Sequence, residues 1–239
     1  MEQAHPFQRL QSELSRLIAE TAPGERLPAE PELARRLGVS RATLREAMRA
    51  FEGQGLIRRR QGVGTFVVGQ KQVIESGLEV LESIETLASK TQLDVSMGDL
   101  HIYQTQATPE QADILQLTTG DTLIWVSRTI LADRRPVAYL IDVLPEDVLA
   151  LEELKEGFTG SVLDFLLHRG STMLSRSLTE INAVAAAPEI ARALEIQRGD
   201  VLLFFEARLY NEDGRVIDHS LSYFLPGYFR FHVVRSVGA

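Results

Sequence analysis

A pattern that occurs twice constrains this chain most. Pro109-Glu110 … Gly120-Asp121-Thr122-Leu123-Ile124 returns 79 residues later as Pro188-Glu189 … Gly199-Asp200-Val201-Leu202-Leu203. After one inserted residue, Arg128 aligns with Arg208, Asp133 with Asp213 and Val137 with Ile217. A repeat of this kind marks a supersecondary unit used more than once. Each copy reads as a strand, a short helix opening at Pro-Glu, a turn at Gly-Asp and two long strands. The hairpin turns fall at Ala132-Asp133-Arg134-Arg135 and Asn211-Glu212-Asp213-Gly214. Two such hairpins predict one antiparallel sheet carrying helices, with a pocket between the pseudo-symmetric halves. Between the copies, Ser161 to His168 reads as a capped helix that Gly170 stops.

The N-terminal third follows different periodicities. Pro6 to Glu20 places Phe7, Leu10, Leu14, Leu17 and Ile18 on one helical face, and Pro23-Gly24 ends it. Glu32, Leu33, Ala34 and Leu37 start a second helix, stopped at Gly38, and Ser40 is the N-cap of a third. In that third helix Leu44, Ala47, Met48 and Phe51 form the core side. Arg41, Arg45 and Arg49 follow at i, i+4 and i+8, a basic stripe about a quarter-turn away, at ~100° per residue. Leu56 to Arg60 and Thr65 to Val67 are β-prone runs around Gln61-Gly62-Val63-Gly64, a hairpin whose glycines permit close approach to a sugar-phosphate backbone. Taken alone, an arginine stripe is a solvated helix face. Beside a helix-turn-helix spacing and a basic hairpin, it suits a major groove, where arginine pairs with guanine or phosphate.

The distribution of charge agrees. The whole chain carries −8, but residues 1–70 hold 11 Arg against 8 Glu, and the remainder 14 basic against 25 acidic residues. Positive charge is thus concentrated where DNA contact is inferred. Zero cysteines exclude thiolate catalysis and Cys-based zinc sites. No apolar run reaches membrane-spanning length, and the N-terminus lacks the order of a signal peptide, so a cytoplasmic protein is expected.

The residues Leu27-Pro28-Ala29-Glu30, Gly38-Val39-Ser40-Arg41, Leu44-Arg45, Gly55-Leu56-Ile57 and Gly62-x-Gly64-Thr65-Phe66-Val67 resemble the winged helix-turn-helix of the GntR family of bacterial transcription regulators. The resemblance implies a double-stranded DNA operator; since one such domain reads only a few base pairs, a near-palindromic site read by a homodimer is expected. Arg41, Thr43 and Arg45 would contact it, with Gly62 at the wing; Arg35, Ser40, Arg49, Arg59, Arg60 and Gly64 complete the DNA-binding set. The family often has an arginine after Leu-Pro-x-Glu; this chain has Pro31, which leaves that phosphate contact to Arg35 or Arg36.

From Gly77 to Ser236 the chain is similar to the effector-sensing UTRA domain of the HutC-type subfamily, which has a chorismate-lyase-like fold. The patterns Gly-Asp-x-Leu, Arg-x-x-x-Ala-Asp-x-x-Pro-Val and Gly-Arg-x-Ile-Asp-x-Ser, in this order, carry the likeness. It implies that Arg128 and the helix start at Ser161 hold an anionic group, and that Asp218 binds hydroxyls or amines. Ser96, Ser220 and Tyr223 complete the implied effector set. A second strand arginine of the family is Ile130 here, an acidic position is Leu140 and a helix tyrosine is Leu163, each apolar in place of polar. The implied effector is therefore a small, less polar molecule with one acidic group. Two other roles stay open at this stage: Arg128 paired with an acidic neighbour, and Asp218 capping a strand edge.

The five histidines show no metal-ligand spacing, and no cofactor or metal is expected. His101 and His219 fall on expected strands. The fold class is α+β: a winged helix-turn-helix domain over 1–69, a linker over 70–76 with a helix opening at Gly77, and an antiparallel-sheet ligand-sensing domain with an internal repeat over 77–239. The function is a ligand-modulated DNA-binding regulator, a repressor rather than an enzyme. The alternative is a DNA-tethered catalyst of the chorismate-lyase-like fold, which needs an acid/base pair or nucleophile that the sequence does not display.

Overall fold

The computed structural model describes residues 6–53, 55–60, 62–68, 74–90 and 94–235. They form two compact units: Met1–Val73 with Leu225–Tyr228, and Ile74–Phe224 with Phe229–Ala239.

In the first unit, helices α1 (Pro6–Glu20), α2 (Glu30–Leu37) and α3 (Arg41–Gly53) precede a hairpin of β1 (Ile57–Arg60) and β2 (Gly64–Val67). The apolar faces anticipated from periodicity meet in one core: Leu10, Leu14 and Ile18 of α1, Leu33 and Ala34 of α2, and Leu44, Ala47, Met48 and Phe51 of α3. Leu27, Ile57 and Val67 close it from the wing side. The Phe7 side chain lies outside the described residues. Gly38 ends α2 in the left-handed region, at φ +67°. Ser40 Oγ accepts the Thr43 backbone N–H at 3.0 Å, the N-cap that turns the chain into α3. The wing gains a third rung before α2, where Arg26 pairs with Phe66 and the Leu27 N–H donates to the Thr65 carbonyl.

In the second unit, six strands form one antiparallel sheet in the order β4-β5-β6-β9-β8-β7. The first copy of the repeat is β4 (Val95–Gln106), α5 (Pro109–Leu115), β5 (Thr122–Ala132) and β6 (Arg135–Pro145). The second is β7 (Leu174–Ala185), α8 (Pro188–Ala193), β8 (Val201–Asn211) and β9 (Val216–Phe224). Between them lie α6 (Leu151–Gly157) and α7 (Val162–Arg169). The two copies agree bond for bond at the Gly-Asp turns. Gly120 and Gly199 donate to the Ala107 and Ala186 carbonyls at 2.9 Å, and Asp121 and Asp200 each accept the N–H three residues back.

Register corrects one feature of the repeat. Strands β5 and β8 are offset by 79 residues at both ends, so the inserted residue falls after them, at the second hairpin turn. The first turn is tight, with Asp133 and Arg134 both at positive φ, while Asn211–Gly214 is longer. The counterpart of Arg128 is therefore Ala207. Arg208 pairs with His219 and points to the other face.

The second correction concerns the start of this unit. Ile74–Gly77 is a strand, β3, paired in parallel with β10 (Phe229–His232). The linker reading thus fails at 74–76; residues 70–73 lie outside the described set. Local periodicity cannot reveal a strand whose partner is so distant in sequence. The helix expected from Gly77 is shorter: Leu78 and Leu81 are exposed, and α4 spans only Ile84–Lys90, capped by Ser83.

Candidate functional site

The exposed face of the first unit carries the residues expected to contact DNA. Arg41, Arg45 and Arg49 all project from α3 to solvent, Arg49 pairing with Glu46 at 2.9 Å. Thr43 Oγ1 lies 2.8 Å from the capping Ser40 Oγ, so both hydroxyls are tied to the helix start. Arg35 is exposed in the last turn of α2, and the Arg60 guanidinium lies 5.4 Å from the Phe66 ring centroid.

One residue outside the expected set organises the others. Glu30, the first residue of α2, receives Arg45 Nε on Oε2 at 2.8 Å and Arg59 on Oε1. A single carboxylate thereby holds a recognition-helix arginine and a wing arginine side by side. Partial burial raises the Glu30 pKa, but the hydrogen bond from Arg45 and the charges of Arg59 and Arg45 outweigh it. Its carboxyl stays below the ordinary value. The signal was present in Leu27-Pro28-Ala29-Glu30, which sequence reading used only as a family marker.

The wing glycines differ. Gly62, at φ +74°, has open space where a Cβ would stand. Gly64, at φ +141°, lies under the Arg26 side chain, whose Nε would be 2.3 Å from an added Cβ. Gly64 therefore makes room for Arg26, which sequence reading missed. Gly64→Ala should cost about 1–3 kcal/mol from backbone strain alone. The check is the denaturation midpoint of the full chain; a change under ~0.5 kcal/mol would refute backbone strain at this position.

In the second unit the strand pairing sorts the effector residues by face, since side chains alternate along a strand. Arg128 pairs with Leu140, Asp142 with Ser220, and Asp218 lies two residues before Ser220. Arg128, Asp142, Asp218 and Ser220 thus share one face and meet across the seam between the two copies. Ile130 and Leu140 are buried on the same face, and Leu163 packs in the α6–α7 core that covers part of it. Ser161 is buried as the N-cap of α7, accepting the Asp164 N–H at 3.0 Å. Two expected residues lie elsewhere. Ser96 pairs with Leu131 and is exposed opposite the cluster, its place taken by Met97. Tyr223 pairs with Tyr139 and Phe204 on the reverse face, its ring 4.8 Å from that of Phe204. Residue type implied these two sites; a one-residue difference in parity removes them. His219 is also on the reverse face, 2.9 Å from Glu206.

The cluster is acidic. Arg128 is 4% exposed, its Nη1 2.5 Å from Asp142 Oδ2, and the Phe158 ring lies 5.8 Å from its guanidinium carbon. The pairing of Arg128 with an acidic neighbour, left open by the sequence, is the one found. Burial pushes the Asp218 carboxyl well above its ordinary value, and the charge of Asp142 adds to this against the pull of Arg128. Burial also raises Glu85 of α4, only partly countered by Arg128. Asp164 Oδ2 accepts the Ser83 hydroxyl at 2.6 Å and joins the starts of α4 and α7. An anion at the site implied for Arg128 and Ser161 would therefore have to displace acidic groups of the chain itself. Asp142 already neutralises the guanidinium, and Asp164 occupies the first turn of α7.

Comparison with known proteins agrees with both halves. Residues 7–67 match the model for bacterial regulatory proteins of the gntR family, and residues 91–230 match the UTRA domain. The chain is 31% identical to the HTH-type transcriptional repressor NagR of Bacillus subtilis, over 89% of this chain and 86% of that one. It is 29% identical to the HTH-type transcriptional regulator Rv0792c of Mycobacterium tuberculosis, over 88% and 77%. Among solved structures, PhnF from Mycobacterium smegmatis shares the fold at a TM-score of 0.65 and 21% identity, over 96% of this chain and all of that one. These relatives are regulators, and the enzyme alternative finds no support among them. A basic helix-turn-helix with its wing, followed by a duplicated sheet enclosing a buried polar cluster, thus belongs to a transcription regulator of the GntR family with a UTRA effector domain.

Proposed function

We propose that the chain is a repressor that binds a near-palindromic operator as a homodimer in the cytoplasm and is released by a small molecule held at the Arg128–Asp142–Asp218 cluster. The observation that carries the DNA half is Glu30 holding Arg45 and Arg59 on one exposed surface, beside Arg41 and Arg49. The effector half is supported by a buried, chemically dense cluster at the seam of a duplicated sheet, built from α4, β5, β6, β9 and α7. Binding sites in such folds are concave and carry a few convergent polar groups.

Dimeric reading follows from information content. One helix-turn-helix reads only a few base pairs, and a two-fold dimer reads two half-sites about one helical turn apart. A ligand that binds the DNA-incompetent arrangement tenfold better lowers operator affinity by at most ~10-fold per site, about 1.4 kcal/mol. Selection of bound fragments from random DNA, followed by sedimentation of the complex, tests the reading. Two protomers on a site with two-fold symmetry are expected. One protomer per selected site, or a site lacking any inverted element, overturns it.

A further inference from the structure

Resting on the effector-site reading above, we propose that the cluster takes an ammonium-bearing effector: a small organic cation that donates hydrogen bonds to Glu85 and Asp218 and accepts one from Arg128. The argument is a count of groups and charges. Both carboxylate oxygens of Glu85 and Oδ1 of Asp218 are buried with no hydrogen-bond partner, and so is Nε of Arg128. Asp218 is 6% exposed and Arg128 4%, so bulk water does not serve them. Buried polar atoms left in this way carry a desolvation cost that a ligand of matching pattern removes. Three acceptor oxygens stand against one donor N–H, a pattern that fits a donor-rich ligand with a single acceptor.

Charge then selects among donor-rich ligands. Arg128 and Asp142 cancel as an ion pair, and Asp164 is engaged by Ser83 and by the α7 N-terminus. Glu85 and Asp218 remain, and burial shifts both towards their protonated forms, a shift that a bound ammonium reverses by supplying the missing counter-charge. A carboxylate or phosphate would face Glu85 with Arg128 already paired; an ammonium would satisfy Glu85 without disturbing that pair. A Cβ at Gly160 would lie 3.3 Å from Glu85 Oε1 and 3.8 Å from Met97 Sδ, so backbone and thioether pack close beside the Glu85 carboxyl. Ile130 and Leu140, buried on the Arg128 face, supply apolar surface for the carbon skeleton of the ligand. Neither Glu85 nor the Arg128–Asp142 pair was marked by the family resemblance.

The test uses the full chain and three two-carbon probes that differ in charge: ethanolamine, ethylene glycol and glycolate. Ethanolamine offers an ammonium for the carboxylates and a hydroxyl acceptor for Arg128 Nε. Side-chain and backbone NMR shifts of Glu85, Arg128, Asp142 and Asp218 are followed on titration of each probe. The expected result is saturable shifts with ethanolamine, at least tenfold weaker binding of the other two, and a comparable tenfold loss for ethanolamine in Glu85→Gln. Binding of glycolate in preference to ethanolamine overturns the ammonium assignment and leaves the effector site standing. Equal binding of ethylene glycol and ethanolamine likewise overturns the role of charge. Shifts at the cluster with none of the three overturn both the assignment and the effector-site reading.

Discussion

Asp142→Ala should destabilise the second unit by about 3–5 kcal/mol, because it leaves a buried guanidinium without its counter-charge. At this chain length the thermal midpoint should fall by roughly 6–20 °C. The expectation follows from geometry: Arg128 and Asp142 have side chains 5% and 12% exposed, and the ion pair between them is 2.5 Å long. Removing both charges is a different experiment. Arg128→Leu with Asp142→Leu should cost far less than the two single changes added together, since burying an ion pair is itself expensive. Asp142→Ala within ~1 kcal/mol of wild type, or additive single changes, would show that the pair carries no such burden.

The same network fixes the sign of its pH dependence. A carboxyl whose folded pKa is raised, as burial raises Asp218, holds its proton more tightly in the folded state than in the unfolded one. Its contribution is full below the ordinary aspartate value near ~4 and is lost as pH rises towards the folded value. Asp218→Asn should therefore flatten the fall in stability above that pH. Arg128→Ala, which leaves Asp142, Asp218 and Glu85 facing one another, should cost more as pH rises, since each carboxyl then neutralises only by taking up a proton. Arg128 is accordingly a structural residue, and its loss affects folding before it affects any ligand response.

Local signals in the sequence were strong where a motif closes on itself. Ser40 and Ser161 cap the helices they precede, and Gly38 and Gly170 end helices at positive φ, because each device acts within four residues. The repeat foretold the sheet because two copies of one hairpin have one economical way to pair. What stayed hidden depends on partners distant in sequence. Strand β3 lies more than 150 residues from β10, and Glu85 reaches the cluster from a helix in front of the repeat. Asp142 sits in an otherwise apolar strand and carries no local signal; register sets it beside Arg128. Parity was the subtlest loss: Ser96 and Tyr223 are each one residue from the face they were assigned to.

Arg45→Ala should weaken operator binding by ~1–3 kcal/mol per half-site, thus roughly 30-fold or more for a dimer, and relax preference at one base pair in each. The structure refines the reason. Glu30 accepts from Nε of Arg45, so this bond does not use the two terminal amino nitrogens, the fork that pairs with O6 and N7 of guanine. Arg59 is held by the other oxygen of Glu30. Glu30→Gln separates two effects that a loss of affinity alone would confuse. Removing a negative charge from the DNA-facing surface should raise binding to random DNA and steepen its salt dependence by about one phosphate per half-site, a slope change of ~0.9. Releasing the Arg45 fork from its fixed orientation should lower the ratio of operator to random-DNA affinity. The measurement is competition of operator against random duplex at several salt concentrations, wild type beside Glu30→Gln and Arg45→Ala. If Glu30→Gln tightens both duplexes equally and leaves their ratio unchanged, Glu30 only tempers the charge of this surface, and the orientation of Arg45 owes nothing to it.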